Sequence, residues 1–175
     1  MAHPLARPGL CRRRLLALGL AGAALLGGCG FHLRQPVALP FSRVALTGFA
    51  PHSPMADAVR RALPARTRVV EAPSEAEVVV AALNDQFVKT VVASTTSGQV
   101  REFRLRVTLR FRLTAADGQP LSADTELEQQ RDLSYTESAA LAKEAEEAFL
   151  VGEMRNDMAQ QLMQMLHALG AAPRR

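Results

Sequence analysis

The chain has 175 residues, 21 Lys and Arg against 17 Asp and Glu for a formal net charge of +4, and two cysteines. Arg7, Arg12, Arg13 and Arg14 precede Cys29 and no acid does, so 21 less 4 leaves 17 basic against 17 acidic side chains from Cys29 onward, which removes any charge argument for nucleic-acid binding. Cys11 lies on the same side of that boundary, so no pair of thiols remains for a disulfide or a metal, and 175 less 28 leaves 147 residues, enough for one domain held by packing alone.

Residues 1–28 read as an export signal that is cleaved: a basic start, an apolar run from Leu15 to Leu26, and the small pair Gly27-Gly28. The run is far shorter than the ~20 residues a membrane-spanning helix needs. Leu26-Gly27-Gly28-Cys29 resembles the lipobox of bacterial lipoproteins, in which the cysteine thiol takes a diacylglycerol and its amine a further acyl chain. Three chains exceed what stable anchoring requires. Gly30, in place of an aspartate, points to an outer-membrane, periplasm-facing anchor. Residues 29–40 contain prolines and little periodicity, and read as a tether.

Residues 41–170 are expected to form one α/β domain, with 171–175 as a short tail. Arg43 to Phe49 alternates as a first strand ended by Gly48. From Ser53, a proline at the first helical position and Met55, Val59, Ala62 and Leu63 at three- and four-residue steps predict a helix that stops before Pro64. Arg68 to Val70 is β-branched and apolar. Val78 to Leu83 and Phe87 to Ala93 read as one long or bulged strand, and Ser94 to Gly98 as a turn.

Phe103, Leu105, Val107, Leu109, Phe111 and Leu113 take every odd position, and Arg104, Arg106, Thr108, Arg110 and Arg112 the even ones. That is a strand with one buried and one cationic face. After Asp117-Gly118 the chain returns through Asp124 to Glu128. A three-residue loop would face Asp124 with Arg112, Glu126 with Arg110 and Leu127 with Leu109, whereas a two-residue loop would turn Glu126 onto the apolar face, so the wider turn is predicted.

Ser134 and Glu137 have capping-box spacing, and from Leu141 through Ala145, Ala148, Val151, Met154, Met158, Leu162, Met165 and Leu169 a long helix is expected, ending at Gly170. A separate short turn ahead of it stays open. Glu147, Glu153, Asp157, Gln160 and Gln164 mark its polar face. The order predicts an α+β two-layer sandwich, two helices packed on one face of a four-stranded mixed β-sheet.

No enzyme is expected: there is no nucleophile elbow, no phosphate-binding glycine loop and no H-E-x-x-H, and His32, His52 and His167 stand apart from suitable partners. The row Arg104, Arg106, Arg110, Arg112 is either a solvated sheet face neutralised by Asp124, Glu126 and Glu128, or a surface that receives anionic groups. The acids match only its C-terminal half, which leaves Arg101, Arg104 and Arg106 less neutralised. The methionines of the last helix read as core.

The string C-G-F-H-L-R (Cys29 to Arg34) resembles the start of the mature LPS-assembly lipoprotein LptE family. So do S-x-x-x-x-A-V-R-R-x-L (Ser53 to Leu63), G-Q-x-x-E-F (Gly98 to Phe103), L-A-K-E (Leu141 to Glu144) and E-M-x-x-D-M-A-x-Q-L (Glu153 to Leu162). Gln35 departs from the glycine frequent there. The resemblance implies a two-helix, four-stranded sandwich that sits as a plug in the LptD outer-membrane β-barrel, helps it assemble, and takes part in delivering lipopolysaccharide to the outer leaflet. It implies no cofactor beyond the N-acyl diacylglycerol lipid on Cys29, and no catalysis. The alternative is a free-standing periplasm-facing lipoprotein that assists a lipid transporter without a barrel. Lys143 holds the family's basic L-A-K position, implicated in lipopolysaccharide contact. The family's second basic position falls in the turn that here reads Ser94-Thr95-Thr96-Ser97, so the expected contact patch is Lys143 with Arg101, Arg104 and Arg106.

Overall fold

The computed structural model describes residues 39–171. The expected signal over residues 1–28, the expected lipidation site Cys29, most of the expected tether and residues 172–175 lie outside them.

Five strands form one mixed sheet in the order β2-β1-β3-β4-β5, with β1 Arg43–Thr47, β2 Arg68–Val70, β3 Val78–Ser94, β4 Val100–Thr114 and β5 Thr125–Ser134. Helices α1 Pro54–Ala62 and α2 Ala140–Ala171 supply the second layer. The expected class holds, but the sheet has five strands rather than four. Arg68–Val70, too short to announce itself, becomes the edge strand because β1 offers it a parallel partner, Val44 opposite Val69. Short 3-10 turns at Pro73–Glu75 and Glu137–Ala139 complete the described chain.

The odd-numbered face of β4 is the core: Leu105, Val107, Leu109 and Phe111 are fully buried, with Val44, Val78 and Val80 beside them. Met55, Ala58 and Val59 of α1 and Val151, Met154, Met158, Leu162 and Leu166 of α2 close that face. Ser53 caps α1 by accepting from the Ala56 N–H at 3.1 Å, and its hydroxyl donates to Asp85 at 2.6 Å, which ties the helix start to β3. On the opposite face Ala45, Ala76, Val79 and Val70 form a small second cluster.

β3 is one continuous strand with a register shift between Ala82 and Asn84. β1 pairs only with its first four residues, Val78 to Ala81. Beyond that point β3 has β4 on one side and no strand on the other.

The β4–β5 register is the one read from charge and apolarity, with Arg110 opposite Glu126 and Leu109 opposite Leu127. The loop has the three residues expected, but it sits one position earlier in the chain than that register alone implies. It runs from Ala116 to Gly118, closed by Ala115 N–H to Gln119 O at 2.8 Å, and Gly118 has φ +83°. That loop faces Thr114 with Pro120. Leu121 and Ser122 then both donate to the Leu113 carbonyl, and the extra residues taken up there restore the expected pairing from Phe111 and Thr125 onward.

Two expectations for the last helix are corrected. Ser134 ends β5 rather than capping a helix, and the 3-10 turn that precedes α2 starts after Thr136, without a side-chain cap. Leu141, Ala145 and Ala148 are exposed, not core, Leu141 at 83%. In the first third of α2 it is Lys143 and Glu147 that face the sheet, through Ser134 and Lys89, and the periodic apolar residues are left to solvent. Glu147, placed on the polar face from sequence, is turned toward β3 instead.

Candidate functional site

The only two lysines of the chain, Lys89 and Lys143, line one cleft at the end of the sheet where the 95–99 turn, Tyr135 and the start of α2 converge. The cleft has a volume of about 330 Å³. Lys89 reaches it because its position on β3, opposite Leu105, shares the helix-facing side of the sheet. Its ammonium pairs with Glu147 at 2.5 Å and stands 4.2 Å from the centroid of Phe103. Phe103 meets Tyr135 edge to face, with centroids 5.1 Å apart. Lys143, opposite them on α2, donates to Ser134 Oγ at 3.1 Å and to Glu146 at 2.8 Å.

Glu137, Glu144 and Glu147 also line the cleft, so its two cations are already balanced by acids. An anionic ligand would have to take a lysine from its carboxylate. The 95–99 turn repeats the geometry of the 115–119 turn, with Thr95 N–H to Gln99 O at 2.8 Å and Gly98 at φ +83°. Its exposed hydroxyls, Thr95 and Ser97, hydrogen bond to each other at 2.8 Å.

The other residues expected in the patch do not join Lys143. Arg104 and Arg106 lie on the opposite side of the sheet, and both have acidic partners. Arg104 makes a bidentate pair with Asp132, at 2.7 and 2.9 Å. Arg106 is 3.6 Å from Glu128 and donates to the Gln130 side-chain Oε1 at 3.3 Å. The expectation that this half of the row is less neutralised is therefore wrong, because β5 continues to Ser134 and brings Asp132 into the ladder. Arg110 and Arg112 share Asp124, at 3.1 and 2.6 Å. Hydrogen bonds from Arg104 and Arg112 hold the Asp132 and Asp124 carboxyls below the ordinary carboxylate range. Arg101 is exposed at the start of β4, and its carbonyl accepts from the Tyr135 N–H.

The sequence does not single out Lys89, Phe103 or Tyr135 as lining such a cleft. The available signal for Lys89 was a cation between Phe87 and Val91 in a row of alternating apolar positions. Among the described residues no group of His, Cys, Asp and Glu could hold a metal ion, and no helix is long and apolar enough to cross a membrane.

The lipopolysaccharide-assembly LptE family model matches residues 41–166, the whole of the sheet and most of α2. The chain belongs to the LptE family. LPS-assembly lipoproteins LptE of Photorhabdus laumondii and of Pectobacterium atrosepticum are each 30% identical to it, over 89% of this chain and 86% of theirs. An uncharacterized lipoprotein B from Nitrosomonas europaea, solved by NMR, is 32% identical, with a TM-score of 0.68 over 82% of this chain and 94% of that one. A rare lipoprotein B from Shewanella oneidensis shares the fold at 22% identity and a TM-score of 0.59, over 72% and 94% of the two chains. LptE-family proteins are lipoproteins of lipopolysaccharide assembly, and this chain is one of them.

Proposed function

We propose that the protein is held at the periplasmic side of the outer membrane by acylated Cys29, that it plugs and helps to assemble the LptD β-barrel, and that it takes part in delivering lipopolysaccharide to the outer leaflet. The observation that carries this reading is the family match across residues 41–166, supported by relatives named as LPS-assembly lipoproteins over nearly their full length. The protein acts by binding and positioning, without catalysis. Residues 1–28 are removed, 29–40 tether the domain to the membrane, and 41–170 form the plug.

Lipopolysaccharide contact is assigned to the lysine cleft, with Lys143 as its principal cation and Arg101 at the β4 rim. Arg104 and Arg106 contribute on the other face, where an anion competes with Asp132 and Glu128. Replacing Lys143 by alanine removes a charge-assisted contact and is expected to weaken lipopolysaccharide binding by about tenfold. Arg104→Ala and Arg106→Ala are expected to change it less. A binding titration of the mature lipoprotein checks both, and equal affinity of Lys143→Ala and the parent rejects the assignment. Purification of the lipidated protein from detergent-solubilised outer membranes tests the partnership. A stable complex with a large β-barrel supports it, and recovery of the lipoprotein alone favours the free-standing alternative.

A further inference from the structure

Among the described residues, Arg155 holds the one buried side-chain nitrogen or oxygen that has no hydrogen-bond partner, the Nε. Its guanidinium carbon stands 6.0 Å from the centroid of Phe87. None of the ion pairs among the described residues includes it. Burial lowers its pKa from the ordinary guanidinium value, against the opposing pull of the Asp85 charge. Asp85 itself is already engaged by Ser53. Guanidinium does not give up its proton in proteins, so this group stays a charge taken partly out of water with no partner, an arrangement that packing alone does not favour.

The same side chain lines a groove of about 500 Å³ between the unpaired length of β3 and the first half of α2. Phe87, Ala148 and Val151 form its apolar floor, and Lys89, Glu144 and Glu147 are shared with the lysine cleft. Lys143, Glu147, Val151 and Arg155 follow one another at four-residue steps on α2, which puts Arg155 about 18 Å along the axis from Lys143. The groove thus has a cation at each end, Lys89 and Arg155, with hydrocarbon between.

We propose that this groove binds an anionic amphiphile, with an oxyanion such as phosphate on Arg155 and the hydrocarbon over Phe87, Ala148 and Val151, as a contact contiguous with the Lys143 cleft. The inference rests on the lipopolysaccharide-assembly reading and extends it to a second subsite. A free inorganic anion would satisfy Arg155 and leave the apolar floor wet. Continuity with the cleft favours one long ligand over an acidic side chain from a protein.

The test uses nitrogen-labelled full-length protein in phosphatidylcholine nanodiscs, titrated with dodecyl phosphate, with inorganic phosphate and with lipopolysaccharide. Dodecyl phosphate is expected to shift the Arg155 Nε–Hε resonance, and Arg155→Leu to weaken its binding by about tenfold. Arg155→Lys should fall between, because a point charge replaces a fork. Arg155→Leu should unfold at the parent temperature or above it, since it removes an orphaned buried donor, so lost binding cannot be lost folding. An equal response to inorganic phosphate overturns the amphiphile. A resonance that ignores dodecyl phosphate overturns the site, including the case in which it moves only when a protein partner is present. If lipopolysaccharide binding is lost in Lys143→Ala and unchanged in Arg155→Leu, this inference falls and the assembly reading stands. If dodecyl phosphate engages Arg155 while lipopolysaccharide binds no form of the protein, the groove stands and the assembly reading falls.

Discussion

At Gly48 the first strand leaves the sheet with φ +76°, and a Cβ there would stand 2.1 Å from the carbonyl oxygen of Ala82. Both the left-handed backbone and the contact exclude a side chain, so Gly48→Ala is expected to cost about 2 kcal/mol or more, read as a lower urea midpoint. Gly98 and Gly118 share the positive φ but have open space around the missing Cβ. Alanine at either should cost only the conformational strain, about 1 kcal/mol. In the sequence all three glycines read alike, as turn residues that follow a strand. What separates Gly48 is the carbonyl of a residue 34 positions later, brought beside it by the parallel pairing of β1 with β3. Lys89 was illegible for the same reason. Its charge could be seen in an apolar row, but its partner Glu147 belongs to another layer.

At the scale of elements, α2 shows how far periodicity carries. From Val151 to Leu166 the three- and four-residue steps match the buried face. The same steps continue back to Leu141, where the helix is exposed, because amphipathic spacing records which side is apolar and not whether anything lies against it. Gly152 sits in the middle of this helix with nothing within 4 Å of its missing Cβ and an ordinary helical φ. Gly152→Ala is therefore expected to stabilise the domain by about 1 kcal/mol, checked as a rise in the thermal midpoint. The β4–β5 pairing was legible because opposite charges and a shared apolar row single out one register. The loop was not, since the excess residues at Leu121 and Ser122 could be taken up at the tip or along the strand. Arg68 to Val70 stood out as β-branched and apolar but was not counted among the four strands, because three residues carry no period.

At the scale of the whole molecule, the outer face of the sheet is a ladder of arginines against acids, and the domain's acid stability should follow it. Asp124 and Asp132 have folded pKa values below their unfolded value of about 3.9. Their contribution is thus fully present above that pH and is lost as the pH falls through the lowered folded pKa. The urea midpoint is expected to stay flat in this respect from pH 7 to 5, and Asp132→Asn to flatten part of the loss below about pH 4. A variant whose acid limb matches the parent would show that the exposed pair contributes nothing measurable.

Composition, the period of two in β4 and the period of three to four in the helices determined the layer architecture, because each depends on residues near one another in the chain. The run of motifs along those elements placed the chain in the LptE family on the same local terms. The cationic row was equally plain, but its neutralisation was decided by how far β5 continues. The lysine cleft and the Arg155 groove were decided by the tertiary structure alone: a cleft is made where separate elements stop packing, and no local pattern records where one layer ends over another.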